Sequence, residues 1–420
     1  MSQTPGLLSL LVAPAIAGGL VYFLRMWRRL PHLAAAAAAA GTAYFVRAAS
    51  VGLSDQVLGR PLVLDAPAKH VILISLAAVA LSNLALLSRA TTTVFPSTSL
   101  GLASLVGAAV TLDNLTLASL CLLIGGVAST LSWESRGRAS GHLQYLVAVT
   151  IGSLLLALAA SVMEVAPDEP SRTGSVALQL GMGLLLGLVP VGLWKGTLGR
   201  DSASLATSVV GLVLAPAAIV LFWRFTSRHH WLIGATLLPE LLRVSTLVTV
   251  AFFSLRAAVT PSPRVFVAAA SQSQFALVLL VLLPSLGSSA LLPLTSEWLL
   301  ARVVPVLLFA VSAALLTRSP RPATRVLFAF SAVSLMGLPG TPLFPAYLAG
   351  LLALPQRGLD AAILLFVAGT AIGSLRLAAL RSAEETTPGS PDEATFIALG
   401  LALLSLALGL NPTLLRGYLT

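Results

Sequence analysis

Glu240 and Arg243 stand three residues apart in WLIGATLLPELLRVSTLV, a spacing that puts both side chains on one helix face within pairing reach. Of the fifteen Asp and Glu residues, only Glu240 falls well inside an apolar run. An ionisable group in such a run is costly and marks proton or ion chemistry. A neutralised structural pair, or a contact to a partner subunit, is the alternative. Lys195 follows Trp194 at the end of another run, where it either carries charge or extends its ammonium to the boundary beside an aromatic anchor. Ser271, Gln272, Ser273 and Gln274 form a polar cluster that can line a hydrated path or hydrogen-bond neighbouring helices. Glu297 and Arg302 flank Trp298 at a depth that suits an interfacial anchor. His229 and His230, after Arg224 and Arg228, read as a solvated outer-loop pair rather than a metal site, and Asp113 sits at a run boundary facing water. There is no phosphate-binding loop, nucleophile elbow or haem-ligand pair, so the expected chemistry is charge movement, with no catalytic centre, cofactor or metal of its own.

The elements that must position these residues are membrane helices. Charged residues make up 10% of the 420, hydrophobic residues 57%, and mean hydropathy is +0.95. In hydrocarbon a backbone must satisfy its own hydrogen bonds, so apolar runs of about 20 residues mean helices. Fourteen such segments are legible: 6–24, 31–48, 70–88, 97–112, 114–132, 143–163, 176–194, 203–223, 231–255, 264–286, 297–317, 324–354, 359–380 and 394–410. The predicted fold is an all-α integral membrane protein of about 14 transmembrane helices, one polytopic domain over 1–420. The AAAAAAAG stretch in 31–48 suits a close-packing helix. A net charge of +10 carried in short loops implies orientation and anionic lipid rather than nucleic acid. The single Cys121 excludes a disulfide framework. The first run lacks a positive flank before it and is followed by Arg25, Arg28 and Arg29, the reverse of a cleaved leader.

With the N-terminus outside, the odd loops face the cytoplasm and hold about fifteen Arg and Lys, among them Arg136, Arg138, Arg256, Arg264, Arg318, Arg321, Arg325 and Arg381, against about seven in the even loops. That asymmetry places both termini outside. Two segments are interrupted. Pro190 falls near the end of span 7, and Gly337, Pro339, Gly340, Pro342 and Pro345 crowd the middle of span 12. Proline removes a backbone donor and clashes with the preceding turn. Breaks five spans apart fit an internal repeat of spans 4–8 and 9–13 of a transporter kind, packing kinks being the alternative.

At these breaks the chain resembles the antiporter-like membrane subunits of respiratory complex I, most closely the N-type subunit, a family that includes Mrp antiporter and membrane-bound hydrogenase subunits. The resemblance rests on NLTLASLCLLIGG and LQYLVAVTIGSLLLALAA in 114–163, LVPVGLW at 188–194, RVFVAAASQSQFA at 264–276 and SLMGLPGTPLF at 334–344, and it covers about 100–380. It implies a multi-pass protein of the bacterial inner membrane with other membrane subunits as partners, within an NADH-quinone oxidoreductase-like or ion-translocating complex. It also implies a midplane row of Glu and Lys that passes protons, because a Lys releases its proton when its Glu partner is withdrawn. Here those positions align with Leu122 or Leu123 (span 5), Gln144 (span 6), Leu185 and Gly192 (span 7), Ala218 (span 8) and Tyr347 (span 12). Leu holds no proton at any pH, and Tyr with a pKa of about 10 is a poor relay. The resemblance with these departures implies a scaffold or non-pumping subunit. The alternatives are an active proton or sodium translocator using Glu240, Arg243 and Lys195 with Ser273 and Gln274, and a stand-alone secondary transporter for a small solute.

Overall fold

A computed structural model describes residues 6–57, 59–87, 94–132, 140–201, 204–234, 238–283, 292–318, 321–353, 359–382 and 393–419. The described helices are α1 (Leu7–Phe23), α2 (Leu30–Ala48), α3 (Ala66–Leu86), α4 (Phe95–Thr111), α5 (Leu115–Ser129), α6 (Ser140–Val165), α7 (Arg172–Leu186), α8 (Trp194–Asp201), α9 (Ser204–Arg228), α10 (Trp231–Gly234), α11 (Leu238–Val259), α12 (Pro263–Leu282), α13 (Leu292–Ala301), α14 (Val303–Arg318), α15 (Pro322–Met336), α16 (Leu343–Ala353), α17 (Leu359–Ser382), α18 (Glu393–Leu410) and α19 (Thr413–Leu419). Each of the fourteen apolar segments overlaps at least one of them. Among the described residues, nine helices are long and apolar enough to cross a membrane, and four more are apolar but shorter. Arg136 and Arg138, and most of the polar stretch 381–393, lie outside the described residues.

The interruptions are helix caps before they are proline kinks. α7 ends on Gly187 and α15 on Gly337, with φ of 70° and 71°, the left-handed conformation that glycine adopts without Cβ strain. In both, the following residue turns its N–H back: Leu188 to the Gly183 carbonyl at 2.8 Å, Leu338 to the Val333 carbonyl at 3.5 Å. Pro190 and Pro339 come after the stop and keep the helix from resuming. The chain then re-enters helix as α8 and α16. A Cβ on Gly187 would lie 2.6 Å from the Lys195 Cε, and one on Gly337 would strike the Tyr347 ring. Lys195 and Tyr347 thus cover equivalent breaks in two halves, which is the signature of an internal repeat. Span 7 is the tighter: Gly192 sits so close to the Gly187 backbone that no Cβ fits between them.

α12 and the α13–α14 rod run through the middle of the bundle and are almost wholly enclosed, whereas α1, α17 and α18 are mostly exposed. Small residues allow the closest approaches, as at Gly369 and Gly373 of α17 against the α11 backbone carbonyls of Ser254 and Ala257. Ser254 and Ser273 join α11 to α12 hydroxyl to hydroxyl at 2.7 Å, and Ser312 and Ser331 join α14 to α15 at 2.8 Å.

Three expectations change. The chain is not purely helical: Ser54–Val57 and Arg60–Val63 pair as an antiparallel hairpin, β1 and β2, whose Asp55 accepts a hydrogen bond from the Leu8 N–H at 3.2 Å. Four-residue strands in a polar connection leave no hydropathy signal. Arg224 and Arg228 are not in an outer loop but in the last turns of α9. Arg224 is buried, bonding the Leu112 carbonyl at 2.9 Å and Asp65 at 2.6 Å, while Asp65 also caps α3 through the Ala68 N–H. Arg228 pairs with Asp113. His229 is buried rather than solvated, with Nδ1 3.1 Å from the Pro167 carbonyl.

Candidate functional site

The break in span 7 opens onto a cavity of about 70 Å³, room for several water molecules. Two breaks in regular helix build it, together with Gln272 of α12. The left-handed Gly187 frees the carbonyls of Leu186 and Gly187, which no longer have helical partners. Gln272 of α12 supplies them: its Nε2 donates to Leu186 at 2.9 Å and to Gly187 at 3.0 Å. Lys195, one residue into α8, folds back over Gly187. Its Nζ donates to the Leu186 carbonyl at 2.9 Å and to Gln272 Oε1 at 2.6 Å. Arg302 stands at the turn between α13 and α14 and is buried. Its Nε donates to Gln274 Oε1 at 2.7 Å and its Nη2 to the Ser271 carbonyl at 3.2 Å. The two cations share Phe275, with Lys195 Nζ 5.0 Å and Arg302 Cζ 4.9 Å from the ring centroid.

Taking an ion out of water costs several kcal/mol even after relaxation. The ring offsets about 2 kcal/mol per cation, and each charge-assisted hydrogen bond about 1.5–3 kcal/mol. The cations also repel: each lies about 5 Å from the same ring centroid, so they stand at most about 10 Å apart, and at an effective dielectric of 20 that costs about 1.5 kcal/mol or more. No carboxylate offsets this, since the described cavity wall holds Lys195, Arg302 and Arg264 but no Asp or Glu.

A polar line continues from this cavity toward the break in span 12. Gln274, Trp298 and Tyr347 follow Arg302. The Trp298 and Tyr347 rings meet edge to face at 4.9 Å, and the Tyr347 hydroxyl lies near Gln274 and Arg302 outside hydrogen-bond geometry. Gln274 Nε2, Trp298 Nε1, Tyr347 Oη and Arg302 Nη1 are all buried without a protein hydrogen-bond partner. Two breaks, two bases and two glutamines thus form one row inside the bundle.

The sequence candidates are distributed unevenly around this row. Lys195 and Gln274 belong to it, as does Tyr347. Leu122, Leu185 and Ala218 line the cavity wall; Leu123, one residue on, does not. Gly192 is locked in the break. Gln144 is exposed on α6 and accepts from the Thr197 hydroxyl. Ser273 serves the α11–α12 clasp and also donates to the Val250 carbonyl at 3.2 Å. Glu240 and Arg243 pair at 2.7 Å in the first turn of α11, with side chains 59% and 39% exposed, away from the cavity. Pro190, Pro339, Gly340 and Pro342 shape the breaks.

Arg302 and Gln272 carry the site and were not separated from their neighbours in the sequence. Arg302 is not an interfacial anchor: it and Trp298 are buried, 3% and 0% exposed. Its signal was a lone base in an apolar run followed by Pro305, which removes the N–H that would have continued the helix ladder. Glu297, midway along α13, is partly exposed and pairs with Arg416 of α19 at 3.0 Å.

No family model matches the chain, and no curated protein matches it. Solved structures do. A chain of the Mrp complex from Dietzia sp. DQ12-45-1b superposes with a TM-score of 0.80 at 18% identity, covering 100% of this chain and 97% of that one. A chain of respiratory complex I from Thermus thermophilus with bound NADH gives 0.79 at 17% identity, covering 98% and 97%. A chain of the membrane-bound sulfane sulfur reductase, an archaeal respiratory membrane complex, gives 0.81 at 16% identity, covering 98% and 95%. The chain therefore has the fold of the antiporter-like membrane subunits of such complexes over essentially its whole length.

Proposed function

We propose that this protein is a membrane subunit of a multi-subunit ion-translocating or redox complex, seated among other membrane subunits and lipid in a bacterial cytoplasmic membrane with both termini outside. In this reading the chain has lost both the acidic and the basic positions of the implied relay and keeps Lys195 and Arg302 as bases elsewhere, so it serves as a scaffold that does not pump by carboxylate–lysine exchange. The observation that carries this is the wall around Lys195: Leu122, Leu185 and Ala218, three of the positions where the resemblance implies relay groups, present hydrocarbon to the cavity, and no described lining residue is acidic. A Lys without a withdrawable carboxylate has no partner to modulate its proton affinity. The redox chemistry belongs to partner subunits.

A second reading has its own support. The row from Lys195 through Gln272, Arg302 and Gln274 to Tyr347 is a polar line that an active translocator would use, with Lys195 as its exchanging base. The third, a stand-alone transporter, would bind a solute at the break in span 7. The decisive experiment purifies the tagged chain in mild detergent, identifies co-purifying membrane proteins, and measures proton flux in vesicles carrying the intact complex with wild-type chain or Lys195→Met. Co-purification with several membrane subunits and unchanged flux is the expected result. A tenfold loss of flux would establish the translocator, and transport by the isolated chain the third reading.

A further inference from the structure

The cavity at the span 7 break is lined by three bases and no described acid. Lys195 and Arg302 flank Phe275 from its surroundings in α8 and at the α13–α14 turn, and Arg264, in the first turn of α12, lies on the same wall. Two of the wall residues, Arg302 and Ser271, also carry a polar atom, Nη1 and Oγ, that is buried without a protein partner. Burial of like charges in a low-dielectric space raises the local potential and draws in a counter-ion.

We infer that this cavity binds a small monovalent inorganic anion, held by the Lys195 ammonium in the field of Arg302 and Arg264 on the same wall. About 70 Å³ admits a halide, nitrate or bicarbonate together with water. The rest of the wall is hydrocarbon, which favours a weakly hydrated ion that gives up its water readily. The anion supplies the negative charge that a side chain would otherwise have to provide beside Lys195, and it lets two bases remain charged inside the bundle. The inference stands on the chemistry of the cavity and holds whether or not the chain pumps protons.

The test uses the full chain in lipid nanodiscs, with sodium isethionate exchanged for sodium bromide, nitrate or bicarbonate at constant ionic strength. The readout is the thermal unfolding midpoint against anion concentration, with anomalous scattering locating bromide. The expected result is saturable stabilisation, weakened about tenfold or more in Lys195→Met and Arg302→Met, and kept in Arg172→Met, whose base is exposed at the start of α7. The charge-retaining Lys195→Arg and Arg302→Lys guard against variants that do not fold and should keep saturation. Bromide and nitrate, the more weakly hydrated ions, should stabilise more than bicarbonate. No saturable effect in the wild-type protein, equal weakening in Arg172→Met, or bromide density away from Lys195 and Arg302 would each overturn the inference.

Discussion

Gln272 holds the broken helix to the bundle, and removing it is the sharpest test of how the site is built. Gln272→Leu keeps the side chain's bulk but deletes three hydrogen bonds at once: the Lys195 ammonium to Oε1 at 2.6 Å, and Nε2 to the Leu186 and Gly187 carbonyls at 2.9 and 3.0 Å. Interhelical hydrogen bonds in membrane proteins average about 0.6 kcal/mol, so the two neutral bonds contribute about 1 kcal/mol. The bond to a charged donor adds about 1.5–3 kcal/mol. The total is about 3–4 kcal/mol. Ser273, one residue on, makes two neutral hydroxyl bonds, and Ser273→Ala should cost about 1 kcal/mol by the same scale. Reversible unfolding in bicelles compares the two directly. A double-mutant cycle with Lys195→Met isolates the ammonium–amide bond, for which a coupling of about 1.5 kcal/mol or more is expected. If Gln272→Leu costs no more than Ser273→Ala, or couples to Lys195 by less than about 0.5 kcal/mol, then Gln272 does not tether the break and the reasoning from its geometry is wrong.

Other substitutions probe the remaining supports. Gly192→Ala drives a methyl group into the Gly187 backbone, which cannot yield as a flexible side chain could, and should abolish the folded state; Gly340→Ala, at φ 85° with open space around it, should cost only about 1–2 kcal/mol of left-handed strain in the same unfolding assay. Arg224→Met removes the ties to Asp65 and Leu112 that join α9 to the start of α3 and the end of α4, and should lower stability by about 2–3 kcal/mol. Glu240→Gln breaks an exposed pair and should change stability by less than about 1 kcal/mol and leave proton flux by the intact complex unaltered; a large loss of flux would return Glu240 to the ion path.

Hydropathy alone made this a helical membrane protein, because an apolar run has only one way to satisfy its backbone in lipid. The same reasoning located both interruptions, since Pro190 and the Gly337–Pro342 cluster cannot continue a helix. The order of short patterns pointed to the fold that the superpositions display. What those patterns did not carry was depth and facing. Glu240 and Arg302 look alike in sequence, each a charge in an apolar run with an opposite charge a few residues away. One ends on an exposed first turn with its partner three residues away, and the other is sealed against Gln274 and Phe275 from a different helix. Likewise Ser273 and Gln272 are adjacent, yet successive residues on a helix point about 100° apart, so one clasps α11 and the other holds the span 7 break. The carbonyls that Gln272 serves become available only once Gly187 turns left-handed, and Lys195 reaches them only because α8 resumes beside α12. The sequence determined which residues could bear charge in the membrane; packing between distant helices decided which of them are enclosed together, because exposure and pairing depend on neighbours that lie tens of residues away along the chain.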